Sequence, residues 1–311
     1  MFPPTVFQCT PNFSAAREPA VVQAIVQSIA KTPGVCVIDW SADVEHNRSV
    51  VTFLAADQAV PAAAAAPAIV AARLIDLRAH TGAHPRFGAM DLFPVTPLLA
   101  ESRPAAVELA MEAGRRISEA ARVPIYWYGW CAQPARPADL PQVRRMARLW
   151  LRSDRTSGDA PDLAPELYRA ETGITMVAAR GPLAAWNVNL ATEDIGIARE
   201  IVQRIRRSRS TLPELNGVRA MAVALLSRAC VQVSMNVTRA GETPLPPIYR
   251  FIGAVARQLG CELLESEVVG VIPRAALGGE GPEAAGWRGY APGQILETWE
   301  EAAWGLTSPG G

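Results

Sequence analysis

The residues with the most chemistry per unit length lie at positions 74–91, Leu74-Ile75-Asp76-Leu77-Arg78-Ala79-His80-Thr81-Gly82-Ala83-His84-Pro85-Arg86-Phe87-Gly88-Ala89-Met90-Asp91. Two of the chain's three histidines fall here, with Asp76, Asp91 and Arg86 close by. An imidazole, with an unperturbed pKa of about 6.5, both takes and gives a proton at neutral pH. Gly82, Pro85 and Gly88 break the segment too often for a regular helix, so the histidines belong to a loop, where rigid elements commonly hold reactive groups. Three readings are open at this level. The histidines are hydrogen-bonded structural residues, or one is a general acid and base, or His46, His80 and His84 hold a metal ion. The last lacks the further ligands that would make a zinc site specific.

Two other polar groups have a telling position. Asn47 and Arg48 stand just before a strand-like run, where the guanidinium either pairs with a carboxylate or lies as a surface charge. Gln232, Ser234 and Asn236 alternate along residues 229–237, so a strand sends all three to one side, toward solvent or toward a groove.

The elements that must position these groups alternate between strand-like and helix-like runs, an α/β (α+β) pattern of layered lobes. Residues 5–9, 35–39, 50–54 and 124–128 read as strands. Residues 19–31 read as a helix with Val22, Ile25 and Ile29 on one face, stopped by Thr32-Pro33-Gly34. The alanine-rich stretch 61–67 starts a second helix. Ser102 is expected to cap a third, which turns Val107, Ala110, Met111 and Ile117 inward. Thr192 is expected to cap a fourth, with Glu193 and Asp194 in its first turn and Arg204, Arg206 and Arg207 in its last, the order a helix dipole favours. Residues 218–225 and 229–237 read as neighbouring strands, 247–259 as a helix closed by Gly260, 278–289 as a flexible loop and 294–303 as a short helix. Periodicity lapses at 158–170, which sets lobes at 1–170 and 171–311.

Composition narrows the function classes. The 311 residues allow two domains or one domain in two lobes. Thirty basic residues balance thirty acidic ones, so no bulk field attracts nucleic acid or an anionic membrane. No run reaches the ~20 apolar residues of a membrane helix. The opening Met1-Phe2-Pro3-Pro4 lacks the basic and apolar regions of an export signal. Cys9, Cys36, Cys131, Cys230 and Cys261 lack metal-binding or redox spacing and fit a reducing compartment. The expectation is a cytoplasmic protein acting on small molecules, with no nucleic-acid or membrane partner.

The histidine loop resembles the signature loop of formiminotransferases, where a Leu-Ile-Asp-Met opening precedes Gly-Glu-His-Pro-Arg and Gly-Ala-x-Asp. Other blocks fall in that family's order over nearly the whole chain. They are Pro11-Asn12-Phe13-Ser14, His46-Asn47-Arg48-Ser49-Val50-Val51-Thr52-Phe53, residues 123–129, Asn187-Val188-Asn189-Leu190, residues 232–238 and residues 267–273. The resemblance implies two lobes, each a mixed β-sheet with helices packed on one side, a folate groove between them, and a possible homodimer. It also implies transfer of a formimidoyl group between N-formimidoyl-L-glutamate and tetrahydrofolate in histidine metabolism, without a metal. His84 falls on the family's catalytic acid and base, and Asn47 and Arg48 would orient the formimidoyl group or a carboxylate. Pro165, Glu166, Leu167, Tyr168 and Gly173 fall where the family contacts folate, and Gln232, Ser234 and Asn236 would line the groove. The cyclodeaminase domain fused to animal versions is expected to be absent.

Several departures surround these positions. Ala15 and Ala16 stand where Glu-Gly is usual, Ser41 in place of an aspartate, Ala83 in place of the acid before the histidine, Trp130 in place of a glutamate, and Met146-Ala147 in place of Gly-Glu. Losing carboxylates changes both partner pKa values and pocket polarity, and Trp130 is expected to reshape a pocket wall. The alternatives are transfer of a formimidoyl or formyl group between folate and a different amine, or a folate-binding paralogue without catalysis.

Overall fold

A computed structural model describes residues 1–82, 86–152 and 159–307. The chain forms two compact units, residues 1–180 with the C-terminal segment from Glu300, and residues 181–299.

The first unit is built from β1 (Val6–Cys9), β2 (Asn12–Phe13), α1 (Pro19–Ala30), β3 (Val35–Asp43), β4 (Arg48–Ala56), α2 (Val60–Leu74), β5 (Met90–Pro97), α3 (Arg103–Ala121), β6 (Ile125–Gly129), α4 (Leu140–Arg152) and β7 (Thr175–Ala179). β3 pairs with β4, and β1 and β2 lie end to end between β4 and β5, all antiparallel. β7 then joins β5 and β6 in parallel. Strand alternation divides the side chains between two faces. Phe7, Phe53, Phe93 and Val95 go to one face and pack with Ile25, Ala64 and Ile117 of α1, α2 and α3. The small residues Ala63, Ala64, Ala68 and Ala71 on α2 are buried in this core, and a methyl built on Gly114 of α3 would lie 2.3 Å from the Trp127 ring.

On the opposite face α4 covers the β6 and β7 end, burying Val143, Ala147 and Trp150 against Tyr126, Tyr128 and Met176. The β3 and β4 end of that face is polar. Asp39, Ser41 and Asp43 stand in register with Thr52, Val50 and Arg48, while Val51 and Phe53 go to the helical core.

The second unit contains β8 (Ala184–Leu190), α5 (Ile195–Ser208), β9 (Val218–Leu225), β10 (Cys230–Val237), α6 (Leu245–Gln258) and β11 (Leu263–Val269), with the fully antiparallel order β11-β8-β10-β9. Trp186, Val188, Val231, Val233 and Met235 form its core with Ile201, Ile205, Ile248 and Ile252 from the two helices. A final helix, α7 (Glu300–Gly305), belongs to the first unit, where the Trp304 indole N–H donates to the Met1 carbonyl at 2.9 Å.

The division between units comes after β7, later than the expected 170/171, because that strand pairs with β5 and β6. Two caps differ from expectation. The Ser102 hydroxyl donates to the Pro4 carbonyl at 2.8 Å instead of capping α3. Asp194, not Thr192, caps α5 by accepting from the Gly196 N–H at 2.7 Å. Residues 278–289 are not an open loop: they carry a 3-10 turn at Pro282–Ala285 and bury Ala285 and Trp287. Among the described residues no helix is long and apolar enough to cross a membrane.

Candidate functional site

His84 lies outside the described residues, together with Ala83 and Pro85. The loop around it is fastened by Asn47. This residue turns the chain from β3 into β4 with a φ of +47°, a left-handed conformation that asparagine tolerates better than most residues. Its side-chain oxygen accepts from the Ala16 and Arg17 N–H groups at 2.9 and 3.2 Å, and its amide donates to the Thr81 carbonyl at 3.1 Å. The His80 Nε2–H donates to the Asn47 carbonyl at 3.1 Å, and Arg86 donates to the His46 carbonyl at 2.9 Å. Ser14 donates to the Gly88 carbonyl at 2.8 Å. Segments 14–17, 43–48, 80–82 and 86–88 are thereby tied to one another.

The three histidines do not share one environment. His46 is held by Asp43, whose two oxygens accept from its backbone N–H at 2.8 Å and from its ring Nδ1 at 2.7 Å. His80 is half-buried, and its Nδ1 lies buried without a partner. Burial, aided by the nearby Arg86 guanidinium, pushes the His80 pKa below the ordinary histidine value, so this ring is neutral at pH 7. Among the described residues no three His, Cys, Asp or Glu side chains come together as a metal site. A cavity of about 310 Å³ opens beside Ala15, Ala16, Arg17, Asn47, His80 and Thr81.

Arg48 leaves the start of β4 on the polar face of the sheet and donates to the Asn12 side-chain oxygen. Asn12 pairs with Leu92 and Phe13 with Met90, which makes Asp91 the extra residue of a β-bulge. Its carboxylate pairs with Arg144 of α4 at 2.5 Å and lies near Arg48, whose pKa is lowered chiefly by desolvation. Arg144 escaped the sequence reading. The signal was the apolar spacing of Val143, Ala147 and Trp150, which defines the buried stripe of α4 and sets Arg144 at its margin.

Of the residues expected to contact folate, those in the first unit follow α4. Leu167 and Glu166 are exposed, Pro165 is half-buried, and Tyr168 packs edge-on against Trp150 at 5.5 Å. Gly173 has a backbone reason for its identity: its φ is +68°, and a Cβ there would lie 2.1 Å from the Phe87 carbonyl oxygen. In the second unit Gln232, Ser234 and Asn236 share the face of β10 away from the helices. Gln232 is buried and donates to Asn189 at 2.9 Å and to Glu267 at 3.1 Å, and Asn187 donates to the same Glu267 oxygen at 3.2 Å. This amide and carboxylate ladder stands next to Glu265, which pairs with Arg228.

The departures separate by face. Ser41 shares the polar face with Arg48. Trp130 instead packs against the core under α1 to α3 with the Arg103 guanidinium 4.4 Å over its ring, so it does not shape the wall near Arg48.

Two α/β units, one with a histidine loop locked to an Asn-Arg turn and the other with an ordered polar strand face, define the class. The chain belongs to the formiminotransferase family: residues 6–180 match the formiminotransferase domain, N-terminal subdomain, and residues 185–281 match the formiminotransferase domain. The first match ends where the first compact unit gives way to the second. Glutamate formimidoyltransferase of Thermoplasma acidophilum is 33% identical over 96% of this chain and 98% of its own length. The enzyme of that name from Streptococcus pyogenes is 34% identical over 88% of this chain and 90% of its own. Formimidoyltransferase-cyclodeaminase of Rattus norvegicus is 32% identical over 87% of this chain, which spans 50% of that longer protein.

Proposed function

We propose that this protein is a transferase that moves a formimidoyl group between N-formimidoyl-L-glutamate and tetrahydrofolate. The observation that carries the reading is the family match over both units, joined to the fastening of the His84 loop onto Asn47. In the forward direction a ring nitrogen of tetrahydrofolate attacks the amidine carbon, and the tetrahedral intermediate carries both amines. The attacking nitrogen must lose a proton and the glutamate nitrogen must gain one before its bond to carbon breaks. His84 takes the first proton and gives the second, so no net proton is consumed. Asn47 holds the loop, and Arg48 orients the formimidoyl group or a carboxylate. Pro165, Glu166, Leu167, Tyr168, Gly173, Gln232, Ser234 and Asn236 are assigned to folate. A place in histidine breakdown, in the cytoplasm and as a homodimer completes the proposal.

A second reading, transfer involving a different amine, is favoured by the cavity beside Ala15 and Ala16 and by Ser41 on the Arg48 face. One assay separates the two. Purified protein given N-formimidoyl-L-glutamate and tetrahydrofolate yields 5-formimidoyl-tetrahydrofolate on the first reading. On the second, folate binds and no such product forms.

A further inference from the structure

The polar face of the first sheet gathers more arginine than its carboxylates balance. Arg144 and Arg148 of α4 set their guanidiniums over Phe87, each 5.5 Å from the ring centre. Arg180, just past β7, donates to the Thr10 hydroxyl at 3.0 Å and bonds the buried Tyr128. Arg144 and Asp91 also lie within electrostatic reach of Tyr128. Arg48 and Arg144 share Asp91 between them. The other acid facing Arg48 is Asp43, and both of its oxygens accept from His46. The Nε–H groups of Arg48 and Arg144 are buried without partners, and one oxygen of Asp91 is equally orphaned. Buried N–H groups on charged side chains are costly when unpaired. Both side chains remain partly open to solvent.

We propose that Arg48 and Arg144 together receive a carboxylate of a glutamyl group, with Asp91 holding the two guanidiniums side by side when the site is empty. The planar forks suit a carboxylate in bidentate contact. Identifying the carboxylate as glutamyl rests on the proposed formimidoyl transfer; an anion receptor at these arginines does not. The glutamyl group belongs either to N-formimidoyl-L-glutamate or to the tail of the folate.

The test removes both charges of the ion pair, in Arg144→Gln/Asp91→Asn, because removing Arg144 alone would leave a buried carboxylate unpaired. Binding of glutarate, of N-formimidoyl-L-glutamate and of tetrahydrofolate triglutamate is measured by calorimetry on the full chain. The wild type is expected to bind glutarate, and the double variant to bind it about 10- to 100-fold more weakly, as loss of a charged hydrogen-bond pair predicts. A parallel loss confined to formimidoyl-glutamate assigns the carboxylate to that substrate, and one confined to the triglutamate assigns it to the folate tail. Either supports the proposal. A folded double variant that binds all three ligands like wild type overturns it, as does a wild type that binds none. Glutarate binding at the arginines without formimidoyl transfer would overturn the transfer reading alone. Should the double variant fail to fold, Arg144→Lys keeps the charge and removes the fork: weakened glutarate binding supports the proposal, and wild-type affinity overturns it.

Discussion

At the scale of single residues, the histidines show how much a motif leaves open. His80 and His84 stand four positions apart in one loop, and residue type alone gives both the same chemistry. The structure gives His80 a specific state: Nε2 carries the proton to the Asn47 carbonyl, and burial with Arg86 nearby lowers its pKa. A histidine whose folded pKa lies below its unfolded value of about 6.5 binds fewer protons in the native state. Its contribution to stability is therefore present above about pH 6.5 and is lost as pH falls through the lowered value. Thermal melts between pH 7 and pH 5 are expected to show declining stability, and His80→Gln should flatten the slope. An equal slope in the variant would contradict this assignment. The same scale explains the cap errors. Ser102 and Thr192 have cap-forming side chains, but Ser102 finds a tertiary acceptor in Pro4, and Asp194 is better placed to meet Gly196. Local propensity cannot see a partner 98 residues away.

At the scale of elements, the decisive feature is a turn that docks on a loop. Asn47 supplies three side-chain hydrogen bonds and a left-handed backbone at the junction of β3 and β4. Asn47→Ala removes all three and keeps an unfavourable φ, so it is expected to cost about 1–3 kcal/mol in urea unfolding. Asn47→Gly loses the same bonds but accepts the positive φ, and should cost less. Both variants should lower kcat/KM, because the His84 loop loses its tether. Identical stability of wild type and Asn47→Ala would show that the tether does not matter. The Asn-Arg turn was legible as a block of residues, and its fastening role was not, since the partners at 16, 17 and 81 are distant in sequence. Gly173 carries the opposite lesson, because a position assigned to folate has a sufficient steric reason in Phe87.

At the scale of the whole molecule, each unit owns a core, and β10 was readable because its apolar Val231, Val233 and Met235 alternate with polar Gln232, Ser234 and Asn236. β7 was missed because both of its faces are buried between parallel neighbours, which erases the two-residue period. α4 was missed because arginines crowd its short apolar stripe. The candidate site was legible where it is contiguous, at residues 74–91 and 46–48. It was invisible where the fold assembles it, as with Arg144 and its pairing with Asp91. The proposed reaction turns on one proton transfer, at His84, during movement of the formimidoyl group. Steady-state kinetics of wild type and His84→Gln with N-formimidoyl-L-glutamate and tetrahydrofolate test it most directly. The expected result is 5-formimidoyl-tetrahydrofolate from the wild type and a kcat about 100- to 10,000-fold lower in the variant, with KM little changed. A variant that turns over as fast as wild type would contradict it.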